Sequence, residues 1–135
     1  MLYPGVGVGI CVMREGKVLL GYRKGGYRSD TWCFPGGKLE LYEDWKECAV
    51  RETREESGIE IKNIRFIGIT NDVDPAHGSH YATIFLAADW KAGEASLTEP
   101  DKFSSWEWFA WDALPEPLFL STRSFVEAGY NPFNF

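Results

Sequence analysis

The feature that most constrains this chain is its acidic run Arg51-Glu52-Thr53-Arg54-Glu55-Glu56-Ser57-Gly58. Glu52, Glu55 and Glu56 fall at i, i+3 and i+4, so an α-helix stacks three carboxylates on one face. Like charges at that spacing destabilise an isolated helix, and a chain that keeps them usually has a cation to offset them. Carboxylates are hard oxygen donors, a set that suits Mg²⁺ or Mn²⁺ better than zinc. Taken alone, the cluster also reads as a solvated acidic helix face. Asp44 can cap this helix, with Glu47 three residues on as in a capping box, and Gly58 ends it. Trp45, Cys48 and Ala49 give it an apolar side.

The rest of the chain is rich in strand signals. Val6 to Met13 is an apolar run interleaved with glycine, Arg14-Glu15-Gly16-Lys17 reads as a hairpin turn, and Val18 to Tyr22 as the returning strand. Trp32-Cys33-Phe34 precedes a Pro35-Gly36-Gly37 turn. Two alternating runs, Ile59 and Ile61, then Ile64 and Phe66, change phase at Lys62-Asn63, which predicts a strand from Ile64 or a bulge at the phase change. Asn71 to Ser79 reads as a loop and His80 to Ala88 as the next strand. Ser105 to Phe109 predicts a strand, Trp111 to Leu114 a helical turn, and about Leu118 to Glu127 a last helix ended by Gly129. Trp106 and Trp108 share a strand face and read as packing residues, as does Trp111. His77 and His80 read as polar loop or strand-end residues, with a metal role the alternative. Arg23 and Lys24, just after the second strand, are either phosphate contacts or ordinary surface charge. Strands around one central helix, with a second helix closing the chain, make a single α+β domain over 1–135.

A length of 135 residues is enough to bury a core, and 44% apolar with 25% charged residues is the balance of a soluble globular protein. The formal net charge of −6 excludes a nucleic-acid duplex as a natural partner. A polyphosphate remains compatible when metal ions neutralise both sides. Cys11, Cys33 and Cys48 lack the spacing of a zinc site or a disulfide framework and read as reduced thiols. The apolar N-terminal run is too short to span a bilayer and lacks a basic leader, so no membrane partner is expected and a cytoplasmic location follows by default.

Gly37, Glu43, Arg51, Glu52, Glu55, Glu56, Gly58 and Ile59 fit the pattern G-x5-E-x7-R-E-U-x-E-E-x-G-U, where U is a bulky apolar residue. The segment resembles the Nudix box, and Thr53 at the first U position is its one departure. GVGVGICV, VLLGYRKG, HYATIF, SSWEWFAWDALPEPLF and GYNPF extend the resemblance over nearly the whole chain, towards the MutT-like nucleoside triphosphate diphosphatases. The resemblance implies an α/β/α sandwich with a central mixed β-sheet. It implies a Mg²⁺-dependent hydrolase, with Mn²⁺ as a substitute, that cleaves nucleoside triphosphates, modified or oxidised ones included, to the monophosphate and pyrophosphate. The alternatives are a diphosphatase for another small organic pyrophosphate, such as an isoprenoid diphosphate, and a Nudix-fold nucleotide-binding protein. A homodimer is compatible with the branch.

Residue by residue, the resemblance implies that Glu52 and Glu56 are the core metal ligands, with Glu55 a further candidate and the carbonyl of Gly36 or Gly37 completing the shell. It implies a glutamate base, Glu52 first and Glu55 second. Glu43 and Arg51 would form an ion pair that orients the acids; pairing of Arg51 with Glu47 one turn earlier is the alternative. Ser104 occupies a position where relatives carry a further glutamate, and Glu99 and Asp101 lie nearby to substitute. Phe119 and Leu120 match an aromatic pair that sandwiches the base, Cys33 a polar residue that reads the base edge, and Thr83 a pocket position. Core packing is the alternative for each.

Overall fold

The computed structural model describes residues 2–134, so Met1 and Phe135, the two ends of the expected 1–135 domain, lie outside the described residues. Its strands are β1 (Gly5–Arg14), β2 (Lys17–Arg23), β3 (Trp32–Cys33), β4 (Gly36–Lys38), β5 (Glu60–Asp74), β6 (Ser79–Ala92) and β7 (Phe103–Ala110). Its α-helices are α1 (Trp45–Ser57) and α2 (Leu120–Glu127). The sheet runs β3-β2-β1-β6-β5, with β4 also paired to β1 and β7 to β2. β1 and β6 are parallel and the other pairs antiparallel, so the sheet is mixed as expected.

The apolar runs are continuous where strands are buried on both faces. Ile10, Val12, Leu19, Ile84 and Leu86 pack with Cys48 and Ala49 of α1. Their neighbours Cys11, Val18, Leu20, Phe85 and Ala87 point the other way and pack with Phe34 and Phe125, the latter from α2. The sheet is therefore the middle of three layers. Trp106 and Trp108 pack against the first core and Trp111 against the second, as their spacing suggested.

Local chemistry sets the element ends. Glu15 and Gly16 take φ of 51° and 77°, the left-handed pair that a tight hairpin between β1 and β2 requires. Asp44 and Glu47 form the full capping box of α1, and Gly58, at φ 77°, closes the helix by donating to the Arg54 carbonyl. The helix end is tied further by Ser96 N–H to Ser57 O (2.9 Å) and Thr98 Oγ1 to Glu55 O (2.5 Å).

Two expectations are corrected. Pro35-Gly36-Gly37 is not a turn: Gly36 and Gly37 lie in β4, opposite Gly9 and Val8 of β1. A Cβ on Gly36 would run into the Val8 carbonyl, so glycine serves close strand approach here, not chain reversal. The loop expected over Asn71 to Ser79 is mostly strand. β5 runs to Asp74 with register shifts at Lys62/Arg65, the predicted bulge, and at Phe66/Gly68. Only Pro75 to Gly78 remain as a connection, because Thr70, Asp72 and Asp74 keep a period-two inward alternation that polar composition disguised. The last helix begins at Leu120, leaving Phe119 at its N-cap position.

Thr53, the departure in the acidic motif, is fully buried, and its hydroxyl has no hydrogen-bond partner. A buried hydroxyl left unpaired is destabilising. Thr53→Val should accordingly raise the unfolding free energy by about 1 kcal/mol in denaturant titration, without altering activity; a loss of stability would contradict this packing.

Candidate active site

Arg51 is the hub of the acidic cluster. Its Nε and Nη2 grip both oxygens of Glu43 at 2.8 and 3.0 Å, a bidentate pair across the loop that leads into α1. Its Nη1 reaches Glu52 Oε1 at 2.5 Å and Glu55 Oε2 at 3.5 Å. Pairing with Glu47 does not occur, because that side chain is taken by the helix cap. The guanidinium holds the Glu43 carboxyl down at about 2, and Glu43 in turn raises Arg51 above its ordinary value.

Glu52 and Glu56 lie in the opposite electrostatic state. Burial is the main cause raising both, and the negative charges of neighbouring carboxylates, Glu99 among them, add to it. Glu56 Oε1 accepts a hydrogen bond from the Gly36 N–H at 2.8 Å. A Cβ on Gly37 would stand 2.6 Å from the Glu52 carboxyl, so only glycine lets that group lie against the strand. Two desolvated carboxylates held against the glycine pair of β4 fit an oxygen-bound divalent ion. Among the described residues no three acids, imidazoles or thiols converge as the side chains stand, since Glu55 is half-exposed and turned towards Arg51. Ser104 is exposed, its hydroxyl 3.5 Å from the Tyr22 carbonyl. Glu99, and not Ser104, is the further acid whose charge reaches Glu52 and Glu56.

Gly36, Gly37 and Glu56 also line one side of a cavity of about 520 Å³. The cavity gathers Arg23, Cys33, Thr83, Phe119 and Leu120, five residues separated widely in the chain. Arg23 is turned inward: its guanidinium lies 4.2 Å over the Phe119 ring and donates to the Tyr27 carbonyl at 3.1 Å. Cys33 is a buried thiol, pushed up to about 12 by desolvation. Sequence reasoning missed Tyr27, whose ring meets Phe119 edge-on at 5.9 Å, and Asp72, which was assigned to a loop. Tyr27 and Arg28 are clasped to Asp74 at 2.6 and 2.9 Å, with His77 at 3.1 Å on the same carboxyl, and this cluster borders the cavity. His80 binds Asn71 instead. Phe85 forms part of the cavity wall and packs at a tilt against Phe125 in the core, ring centres 4.5 Å apart.

A NUDIX domain model matches residues 3–128. The chain belongs to the Nudix family. The crystal structure of a MutT NUDIX hydrolase from Burkholderia pseudomallei is 34% identical, superposes with a TM-score of 0.87, and shares 93% of this chain and 97% of its own. The oxidized purine nucleoside triphosphate hydrolase of Danio rerio is 32% identical in an alignment that covers 92% of this chain and 83% of that protein. The NAD-capped RNA hydrolase NudC of Pseudomonas aeruginosa is 32% identical over 106 residues, which are 78% of this chain but 36% of the relative's length. Nudix hydrolases generally use a divalent metal ion, and their named relatives here are hydrolases of phosphoanhydride bonds. Among the described residues no helix of this Nudix protein is long and apolar enough to cross a membrane.

The pKa pattern has a consequence for the metal-free protein. Because Glu52 and Glu56 are raised, their contribution to stability is full below the ordinary carboxyl pKa and lost as pH rises through the raised values. Glu43 acts in the opposite sense, contributing above the ordinary value and losing it only as pH falls through about 2. In chelator, Glu56→Gln should therefore raise the melting temperature more at about pH 8 than at about pH 5. An equal shift at both would remove the buried charge as its cause.

Proposed function

We propose that this Nudix protein is a Mg²⁺-dependent pyrophosphohydrolase that converts nucleoside triphosphates to the monophosphate and pyrophosphate. The observation that carries the reading is the shared wall: β4 meets the acids through Gly36 and Gly37 and forms one side of the aromatic cavity. A substrate whose base enters that cavity would lay its phosphates along the glycine strand, towards Glu52 and Glu56. The activity named for the zebrafish relative is of this class.

Glu52, Glu56 and the Gly37 carbonyl would hold the ion, with Glu55 able to join by leaving Arg51. When bound, Mg²⁺ neutralises phosphate charge and lowers the pKa of water. Glu52 then serves as the base that takes a proton from the attacking water, with Glu55 as second candidate. Arg51, anchored by Glu43, fixes the rotamer of Glu52 and does not meet the water. Phe119 would offer its ring to the base beside Leu120, with the Arg23 guanidinium 4.2 Å over that ring holding it in place. Thr83 and Cys33 form the polar and apolar parts of the remaining wall.

The test is pyrophosphate and phosphate release from nucleoside triphosphates, oxidised and methylated forms, and isoprenoid diphosphates, with Mg²⁺ or Mn²⁺. Metal-dependent pyrophosphate release from nucleotides is expected, reduced about 10²- to 10⁴-fold in Glu52→Gln, the usual worth of a positioned base. Phosphate release from isoprenoid diphosphates alone would replace this reading.

A further inference from the structure

Asp72 stands apart from the acids assigned above. It lies on β5 opposite Tyr81 of β6, on the inward sheet face with Thr70 and Thr83, and its side chain is part of the cavity wall. Only 5% of the residue is exposed. Thr70 Oγ1 and Thr83 Oγ1 both donate to its Oδ2, at 2.9 and 2.7 Å. The other oxygen, Oδ1, has no partner. Arg28 and His77 are engaged by the next inward acid, Asp74.

A buried polar atom without a partner is costly, the more so on a carboxylate, and asks for an explanation. Two hydroxyls on one oxygen lock the carboxyl plane and leave Oδ1 as an acceptor with nothing to accept. β1 adds room on the same face: Gly7 faces Thr83 across the parallel pairing, and a Cβ there would stand 3.5 Å from the Thr83 hydroxyl. The wall thus holds an unpaired carboxylate oxygen, itself closed to solvent in the empty cavity, with room for small side-chain shifts at Gly7. What completes it is a ligand carrying a donor, not a hydrocarbon.

Building on the nucleotide reading above, we infer that Asp72 is a specificity-determining residue that accepts a hydrogen bond from a ring N–H of the bound base. Lactam bases supply that donor: N1–H in guanine and hypoxanthine, N3–H in uracil and thymine. Adenine and cytosine present a lone pair at the same ring position, which sets acceptor against acceptor. A site built around such a bond rejects the analogue lacking it more strongly than shape alone does, because the protein group is left unpaired. Thr70 and Thr83 act through Asp72 as positioning residues, holding Oδ1 in place.

The experiment is calorimetric titration of the full chain with GMP, AMP, UMP and CMP, for the wild type and for Asp72→Asn. Asparagine keeps the shape, and its carbonyl can still accept from the two threonines. The wild type should bind GMP over AMP and UMP over CMP, each by about 10- to 100-fold, the worth of one hydrogen bond to a charged group. With its carbonyl held by the two threonines, the asparagine places its Nδ2 donor where Oδ1 stood, so in Asp72→Asn both ratios should fall below one. Wild-type ratios near one, ratios unchanged in the variant, or no binding of any of the four would overturn the inference. If the variant does not fold, the two wild-type ratios decide. The readings fail separately. Pyrophosphate release at equal rates from GTP and ATP, with Asp72→Asn indistinguishable, leaves the hydrolase and removes the role of Asp72. Base-selective binding through Asp72 without pyrophosphate release does the reverse.

Discussion

Arg51 gripping Glu43 is the contact on which the acidic face depends. Three carboxylates within little more than one turn of α1 repel one another, and the helix they sit on has only a modest apolar side to hold it down. The guanidinium offsets that repulsion from within the helix, while its bidentate grip on Glu43 fastens the preceding loop to the same point. Because Nη1 is then aimed at Glu52, the side chain nearest the glycine strand has a fixed direction. The capping box at Asp44 and Glu47 frees Arg51 for this work by occupying the competing acid. The ties from Ser96 and Thr98 brace the far end of the helix and bring Glu99 to the cluster.

The second constraint is the glycine pair of β4. Gly36 lets that strand lie hard against β1, and Gly37 lets the Glu52 carboxyl lie hard against it from the other side. One short strand therefore belongs to two regions at once, the acids on one side and the aromatic cavity on the other. Neither half makes chemical sense alone. An acid cluster without a cavity has no substrate, and a base pocket without the acids has no means of cleaving what it binds.

Much of this was legible in the residues. The spacing of Glu52, Glu55 and Glu56, the box register, the caps and the phase change at Lys62-Asn63 all depend on local sequence and emerged as read. The mixed sheet and its place between two helices were implied by the resemblance, not by composition. What escaped was long-range. Asp72 was hidden because Asn71 to Ser79 has the composition of a loop, whereas cross-strand pairing with β6 holds it extended. Tyr27 was hidden in a glycine-bearing loop whose position is set by Asp74, forty-seven residues away. Pro35-Gly36-Gly37 has turn chemistry, yet its glycines answer a crowding partner that only the folded sheet supplies.

Phe85 carries a last consequence. The same ring walls the cavity and packs on Phe125 in the heart of the second core, so recognition and folding share an atom set. A ligand that fills the cavity stabilises side chains whose loosening would unfold the whole three-layered body, not a detachable lid. Occupancy is then thermodynamically linked to global unfolding, and affinity appears as a shift of the entire melting transition. Mutational drift in the core is for the same reason drift in the binding wall: this molecule has little freedom to change what it recognises while leaving its stability untouched.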